Sequence, residues 1–327
     1  MQIQEILSLI DKQDAKLVLL LCHHNADPDA IGAAFAFKGL LHRLRPKLEI
    51  EIGAASGPSR LSKSIMSVLP IELTDQPHIE EADLIVLLDT NTIQQLDEWS
   101  TRIKPDIPLI IIDHHASHPE TERMVTLSIA DENASSTCVL IFRLFNEVNI
   151  MPSLNEAKAL FLGIAFDTRH FILATSETLK VVSDLANIGV DPQETLSILS
   201  LPMVFSERIA RLKAAHRVKI LRVKDWLIAL AHISAYQASA ARGLIALGAD
   251  VAVVAGKKGN KIQVSFRTSD KFHTDTDVHM GRDLATPLGE FLGGMGGGHA
   301  VSAGANGVGD LTSCLRFCEK LLKNRLC

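Results

Sequence analysis

The chain lacks the features that mark membrane and secreted proteins. No run of about 18 or more apolar residues occurs along its 327 residues, which argues against a membrane span. Residues 1–14 mix charged and apolar side chains at helical spacing, whereas a secretory signal has a basic start followed by an apolar block. We therefore expect no secretory signal and no membrane as a partner.

Cysteine is scarce and irregularly spaced. The cysteines are odd in number, and no pair has the spacing of a zinc-finger motif. They are Cys22, Cys138, Cys314, Cys318 and Cys327. Scattered cysteines of this kind are typical of reduced proteins, so the sequence predicts a cytoplasmic protein.

Positive charge and aromatic side chains are also in short supply. The formal net charge is −5, no block of lysine and arginine is visible, and aromatic residues make up 5% of the chain. Proteins that hold long nucleic acids usually show a basic excess or a groove of stacking aromatics. The composition therefore predicts a small or short substrate that is recognised at a local site.

The first half of the chain alternates between apolar runs and helical segments. The apolar runs lie at 16–22, 48–53, 83–88 and 109–112, and a helical segment lies at 29–44. Continuously apolar strands are typical of a sheet that is covered on both faces. The alternation therefore predicts a parallel sheet with helices on both sides.

The second half begins with helices and then returns to alternation. Helices are predicted at 155–166, 176–188, 192–199 and 206–218. Strands follow at 218–223, 227–231, 251–255 and 261–267, with helices at 236–247, 283–292 and 310–326 and a glycine cluster at 293–298. We predict an α/β fold with a parallel-sheet domain at 1–200, a helical connector at 201–222 and a smaller α/β domain at 223–327.

Acidic residues and histidines gather where the predicted strands end, with one more aspartate at the end of a helix. They are His23, His24, Asp27, Asp29, Asp89, Asp113, His114, His115 and Asp167. The carboxyl ends of parallel strands are the edge at which such sheets bind ligands. A single aspartate there has an ordinary alternative as a helix N-cap. So many together would repel one another without cations, which favours a metal site.

The chemistry of these side chains indicates which metal they would bind. Carboxylate oxygens and imidazoles without cysteine suit Mn²⁺, with Mg²⁺, Co²⁺ or Zn²⁺ as alternatives. Two ions about 3.5–4 Å apart can clamp the attacking and leaving oxygens of a displacement at phosphorus. The residues therefore predict a two-metal phosphoesterase.

The order of the motifs resembles the DHH phosphoesterase family. The matching residues are His23-x3-Asp27-x-Asp29, Asp89, Asp113-His114-His115 and Asp167. In the second domain, Gly296-Gly297-Gly298-His299-x3-Ala303-Gly304 resembles the signature of the DHH-associated domain. The resemblance spans nearly the whole chain. One departure is Ala33, which stands where many members carry serine and leaves the ligand positions untouched.

The resemblance implies a role for each matched residue. His23 and Asp27 would bind one Mn²⁺, Asp29, His114 and Asp167 the other, and Asp89 would bridge both. Asp113 would orient His114, and His115 would face the substrate phosphate. His24 is an alternative to His23 as a ligand, and the family's spacing to Asp27 favours His23.

The resemblance also implies a phosphate-binding site in the second domain, formed by Arg267, Gly297, Gly298 and His299. Glycine lets backbone N–H groups approach a phosphate, and we predict that a short helix begins at Gly298 and favours the anion. The alternatives are a flexible glycine loop and an exposed arginine at a strand end. Arg282 is a weaker candidate for the same role.

The family's activity implies hydrolysis by a water that two cations activate. The expected substrates are short oligonucleotides, linear or cyclic dinucleotides, or 3′-phosphoadenosine 5′-phosphate, and the resemblance suggests a homodimer. One alternative is a manganese-dependent inorganic pyrophosphatase, which shares the first motifs and lacks the glycine–histidine signature. The other is a catalytically silent scaffold protein, although such relatives lose metal ligands and this chain keeps every one.

Overall fold

The computed structural model describes residues 1–116, 118–200 and 203–326. The chain divides into two compact units, Met1–Leu201 and Pro202–Cys327. Each unit has its own sheet and its own hydrophobic clusters. In the described part of the chain, no helix is both long enough and apolar enough to cross a membrane.

The first unit is built on a parallel sheet. Within the described residues its strands are β1 (Leu17–Cys22), β2 (Glu49–Ala54), β3 (Leu84–Leu88), β4 (Leu109–Asp113) and β5 (Leu127–Ala130). They lie in the order β2-β1-β3-β4-β5, and every neighbouring pair is parallel. The parallel sheet is therefore confirmed. We did not predict β5, because only one of its four residues is buried and its apolar pattern is weak.

Helices of the first unit cover one face of this sheet. They are α1 (Gln2–Lys12), α2 (Pro28–Leu44), α3 (Arg60–Met66), α5 (Thr137–Glu147), α6 (Leu154–Asp167), α7 (Ser176–Ile188) and α8 (Pro192–Leu199), whereas the short α4 (Pro119–Glu122) lies beside Ile111 on the other face. Val18 and Leu20 of β1 pack with α1, α2, α5 and α6 on this face. Leu19 and Leu21 point the other way, because successive side chains of a strand alternate between the two faces.

The opposite face corrects our expectation of helices on both sides. It is covered mainly by two 3₁₀ segments, Ile79–Glu81 and Ile93–Arg102. Their apolar residues, Trp99 among them, pack on the sheet. Each 3₁₀ segment lies in the link that leads to the next strand, the first between β2 and β3 and the second between β3 and β4. Neither is a long α-helix of the kind that covers the first face.

Two glycines let α2 and α6 come close enough to share a site. A Cβ on Gly32 would lie 2.6 Å from the carbonyl oxygen of Ala159. A Cβ on Gly163 would lie 2.4 Å from the sulfur of Cys138 and 2.9 Å from Cα of Asp29. Glycine is required at both positions because any side chain would push the helices apart.

The second unit has a mixed sheet with helices. Its elements are α9 (Phe205–His216), β6 (Lys219–Val223), β7 (Trp226–His232), α10 (Gln237–Ala246), β8 (Val251–Lys258), β9 (Lys261–Thr268), α11 (Asp270–Thr276), α12 (Thr286–Phe291), β10 (Met295–Gly298), β11 (Ser302–Val308) and α13 (Leu311–Leu326). The strand order is β10-β11-β9-β8-β7-β6, with β7 and β8 parallel and the other pairs antiparallel. From residue 203 onward, the stretch that we predicted as a connector lies in this unit.

The glycine cluster differs from our prediction of a short helix starting at Gly298. It forms β10, which pairs with β11 in an antiparallel hairpin. The predicted helix before it is divided into a π-helical segment, Met280–Ala285, and α12. A Cβ on Gly296 would lie 1.7 Å from the carbonyl oxygen of Ala285, so the glycines let this hairpin press against the π-helical backbone.

Candidate metal centre

The first cluster forms where β1 ends and α2 begins. Asp27 is the N-cap of α2, and its Oδ1 accepts the backbone N–H groups of Asp29 (2.9 Å) and Ala30 (3.1 Å). This bond leaves Oδ2 directed toward His23, whose Nε2 lies 3.9 Å away. Because capping fixes one oxygen, the other is held in place for a ligand.

Asp89 follows β3 and lies between two histidines. Its Oδ2 is 3.7 Å from Nε2 of His23, and its Oδ1 is 3.6 Å from Nε2 of His114. The residue is 3% exposed and has a left-handed backbone with φ +53. Such a backbone is uncommon outside glycine and tends to occur at functional sites. Asp89 is thus the carboxylate that reaches both parts of the cluster.

Asp29 is held by the start of α5, an element that we did not predict. Its two carboxylate oxygens accept the backbone N–H groups of Thr137 (2.6 Å) and Cys138 (3.0 Å). Unpaired N–H groups at a helix N-terminus favour an anion there. The available sequence signal was Ser136, which caps α5 just before an apolar run.

His114 and Asp167 complete the second cluster with Asp29. Nε2 of His114 lies 3.0 Å from Oδ2 of Asp167, at the last residue of α6. Despite this short distance to the carboxylate, the buried Nε2 has no hydrogen-bond partner among the described residues. A buried polar atom without a partner is costly, and a cation shared with Asp167 would satisfy it.

Asp113 contacts a different histidine from the one we predicted. Its Oδ1 accepts from both the backbone N–H and Nδ1 of His115, each at 2.8 Å. An aspartate that bonds the N–H two residues on forms a local turn. Asp113 therefore orients His115, while its Oδ2 has no hydrogen-bond partner among the described residues, so that its predicted role for His114 stays a prediction.

The ionisation of the cluster reflects crowded carboxylates. Burial, together with the charges of Asp89 and Asp167, raises the pKa of Asp27 to about 6. Burial and the carboxylates of Asp167, Asp89 and Asp27 raise the pKa of Asp29 well above its usual value. Burial also acts on Asp89, but hydrogen bonds from His115 and His23 outweigh it and lower the pKa.

The histidines respond in the opposite direction. Burial disfavours the charged form of His23, but Asp89 and the carbonyl of His24 outweigh it and raise the pKa to about 9. Asp113 and Asp89 raise the pKa of His115 to about 11. Burial again opposes the charge on His114, but the carboxylates of Asp167 and Asp89 raise its pKa. In the metal-free protein, protons on these residues therefore offset the negative charge of the carboxylates. Divalent cations could offset the same charge.

The residues present fit a pair of divalent cations. His23, Asp27 and Asp89 offer ligand atoms that lie within 4.8 Å of one another, and so do Asp29, His114 and Asp167. The first group contains the ligands predicted for one ion together with Asp89, and the second contains those predicted for the other ion without Asp89. Asp89, Asp113, His114 and His115 form a third such group. His24 lies apart, since its Nδ1 contacts the carbonyl of Gln95 (3.1 Å) and Asp97 (3.6 Å). The donors are oxygen and imidazole nitrogen, the set that Mn²⁺ and its neighbours prefer.

The second unit brings the predicted phosphate-binding residues together. Arg267 of β9 pairs in register with Ser302 of β11, whose carbonyl accepts the N–H of His299 (2.8 Å). A Cβ on Gly297 would meet nothing within 4 Å, so this backbone faces open space. Arg282 is engaged, because its guanidinium donates two 2.9 Å bonds to Asp283.

Comparisons with known proteins extend these observations. The sequence pattern of the DHH family, N-terminal domain, matches residues 17–164. An uncharacterized protein of Methanocaldococcus jannaschii is 36% identical over 94% of this chain and 92% of that protein. A probable bifunctional oligoribonuclease and PAP phosphatase of Streptococcus mutans is 28% identical over 60% of each chain. The solved structure of an exopolyphosphatase-related protein from Bacteroides fragilis matches with a TM-score of 0.65 at 20% identity, covering 99% of this chain and 96% of that one.

The fold and the cluster define the class of protein. A parallel sheet that carries carboxylates and imidazoles at its carboxyl edge is the framework of a metal-dependent hydrolase of phosphate esters. With the pattern match and the relative that aligns over most of both chains, this chain belongs to the DHH family of phosphoesterases.

Proposed function

We propose that the protein hydrolyses phosphodiester or phosphomonoester bonds of short oligonucleotides or dinucleotides, using two Mn²⁺ ions. The observation that supports this most directly is the position of Asp89, whose two oxygens lie 3.7 Å and 3.6 Å from His23 and His114. A carboxylate between two histidines of separate ligand groups is suited to bridge a pair of cations.

Each ion would have its own ligands in this proposal. His23 and Asp27 would hold one, and Asp29, His114 and Asp167 the other, with Asp89 shared. When bound, the ions would lower the pKa of water and balance the charge of the phosphate. Manganese is favoured over zinc in this proposal because the donors are mostly carboxylate oxygens and none is a thiolate.

His115 is the side chain that we propose to contact the substrate. It is 53% exposed, and Asp113 fixes its ring through Nδ1 at 2.8 Å. In the metal-free protein Asp113 and Asp89 raise its pKa to about 11, and with Asp89 engaged by cations the hydrogen bond to Asp113 would still favour the charged ring. A charged imidazole with a free Nε2–H can donate to a phosphate oxygen, which stabilises the charge that develops there.

The second unit would supply a phosphate-binding site of its own. Arg267 is partly exposed, and its guanidinium already donates one 2.7 Å bond to the carbonyl of Phe266, which holds it in place. A planar guanidinium can bind phosphate with two parallel bonds, and His299 and the open backbone at Gly297 would add donors. Gly298 packs against Ala303, so its contact with phosphate stays a prediction. The name of the S. mutans relative supports a short oligonucleotide or an adenosine bisphosphate as the substrate.

The test is turnover with Mn²⁺ on a matched panel of pApA, a five-residue RNA, 3′-phosphoadenosine 5′-phosphate, cyclic-di-AMP and pyrophosphate. We expect turnover of the short RNA or of pApA. Turnover of pyrophosphate alone would assign the substrate to the pyrophosphatase alternative. Absence of turnover on all five, with Mn²⁺ bound, would favour the scaffold alternative.

A further inference from the structure

A cavity of about 470 Å³ lies in the second unit, at the end of the sheet opposite to Arg267. Its residues include Tyr236, Gln237, Lys257, Lys258, Lys261 and Asn306. Lys261 begins β9, and Arg267 is six residues further along, which separates them by about 20 Å at about 3.4 Å per residue. The cavity is therefore distinct from the phosphate-binding residues discussed above.

The cavity lies at a position in the fold where ligands commonly bind. β7, α10 and β8 form a parallel strand–helix–strand unit, and the cavity lies where β7 ends and α10 begins. The carboxyl ends of parallel strands and the N-terminus of the following helix are where such units bind anions. The volume falls within the range of about 300–1,000 Å³ that small-molecule sites occupy, well above what a lone phosphate needs.

Lysines give the cavity an unbalanced positive charge. Lys258 and Lys261 are directly opposite each other across the β8–β9 hairpin, on the face where Gln237 meets Gly256. Like charges in this position destabilise a hairpin. Side chains alternate along β8, so Lys257 points to the other face, where it acts on Asp310. Neither Lys258 nor Lys261 forms an ion pair with any described residue, and no described residue that lines the cavity is acidic. An anion in the cavity would remove the repulsion.

Gln237 points to a ligand independently of the lysines. It is 8% exposed, it lines the cavity in the first turn of α10, and its side-chain amide has no hydrogen-bond partner among the described residues. Gly256 makes room for it, because a Cβ there would lie 1.8 Å from Nε2 of Gln237. The amide atoms are not fully buried, so they are open to the cavity, where a bound group can bond to them.

We propose that this cavity binds the phosphate of a nucleotide. The lysines and the N-terminus of α10 would take the phosphate, and the amide of Gln237 would donate to it. Tyr236, the only tyrosine of the chain, is 41% exposed and lines the same cavity, so its ring is available for a base to stack on. The nucleotide is either free or part of a polynucleotide chain.

The test measures binding to the full-length protein by calorimetry in EDTA, so it does not depend on the hydrolytic activity proposed above. AMP and a five-residue RNA are titrated into an Arg267→Gln background, which weakens the other phosphate site. Lys258→Gln with Lys261→Gln is compared with Lys213→Gln and Lys320→Gln, two exposed lysines outside the cavity that give the same change in charge. Gln237→Leu is measured separately, with circular dichroism as a check of folding.

We expect the cavity variants to bind about tenfold more weakly than the lysine control. Weakened AMP binding would identify a free nucleotide as the ligand, and weakening confined to the RNA would identify a polynucleotide. Equal binding of both ligands by the cavity variants and the control would overturn the proposal. So would equal weakening in the control, since that would show an effect of net charge alone.

Discussion

At the scale of single residues, Asp89 occupies the place where two histidines of different ligand groups approach one carboxylate. Its left-handed backbone is a conformation that aspartate and asparagine tolerate better than most other residues. A substitution that keeps this backbone while removing the charge can therefore separate the chemistry from the fold.

Asp89→Asn should lower Mn²⁺-dependent hydrolysis by on the order of 10³-fold while the circular dichroism stays native. The amide has no negative charge with which to bridge two cations. Asp97→Asn is the matched control, because Asp97 also has a left-handed backbone (φ +50) and belongs to neither ligand group. Turnover by Asp89→Asn at the wild-type rate, measured as kcat with the bound manganese counted, would exclude the proposed bridge.

The pKa shifts make metal affinity depend on pH. His23 has a pKa of about 9 in the metal-free protein, so below pH 9 a cation must displace its proton. Asp27 has a pKa of about 6, so below pH 6 a second proton must leave. The pKa values of His114 and Asp29 are raised as well, so affinity for Mn²⁺ should fall by at least about tenfold per pH unit between 8.5 and 6 and more steeply below 6. Calorimetric titration across this range checks it, and an affinity that does not vary with pH would contradict the ligand assignment.

The sequence predicted the residues of the cluster better than their hydrogen bonds. The order and spacing of His23, Asp27 and Asp29 indicated their place at the end of β1, since the strand before them is continuously apolar. Which donor each carboxylate receives depends on elements that meet only in the folded chain. The start of α5 on Asp29 and the turn between Asp113 and His115 were therefore not predictable from local pattern.

At the scale of elements, the contact between α2 and α6 determines where Asp29 lies. A methyl group at position 163 would be only 2.4 Å from Cys138 and 2.9 Å from Cα of Asp29. Both neighbours are buried, so neither can move aside without shifting a helix.

Gly163→Ala should destabilise the protein by about 1–3 kcal/mol in urea unfolding and weaken metal binding, because overpacking displaces Asp29. Gly243→Ala is the matched control in a helix interior. There the added methyl meets only the side chain of Arg211 at ordinary contact distance, 3.4 Å. We expect it to stabilise the protein by about 0.5–1 kcal/mol, because alanine is the better helix former. Equal effects of the two substitutions would contradict this packing argument.

Strand predictions succeeded where the apolar run was long and buried, as in β1, β3 and β8. They failed for β5, β10 and β11, and the physical reasons differ between β5 and β10. β5 is short and half exposed, so its sequence has little periodicity. β10 consists of methionine and three glycines, a composition that predicts a loop, and it forms a strand because tight backbone packing against Ala285 requires glycine.

At the scale of the whole molecule, each unit has separate hydrophobic clusters and a single tryptophan. Trp99 packs in the cluster under the first sheet, and Trp226 contacts Phe272 in the second unit at a ring-centroid distance of 5.0 Å. The two tryptophans are the only ones in the chain. Trp226→Phe and Trp99→Phe variants therefore let fluorescence report the unfolding of one unit at a time.

The proposed metal ligands all belong to the first unit, so Mn²⁺ should stabilise that unit selectively. A ligand that binds only the folded state adds about 2.7 kcal/mol at a concentration 100 times its Kd. The urea midpoint reported by Trp99 in Trp226→Phe should therefore rise with Mn²⁺, and the midpoint reported by Trp226 in Trp99→Phe should stay the same. A rise of equal size in both variants would show that the two units unfold as one cooperative body. A rise confined to the Trp226 signal, or none in either, would contradict a metal centre in the first unit.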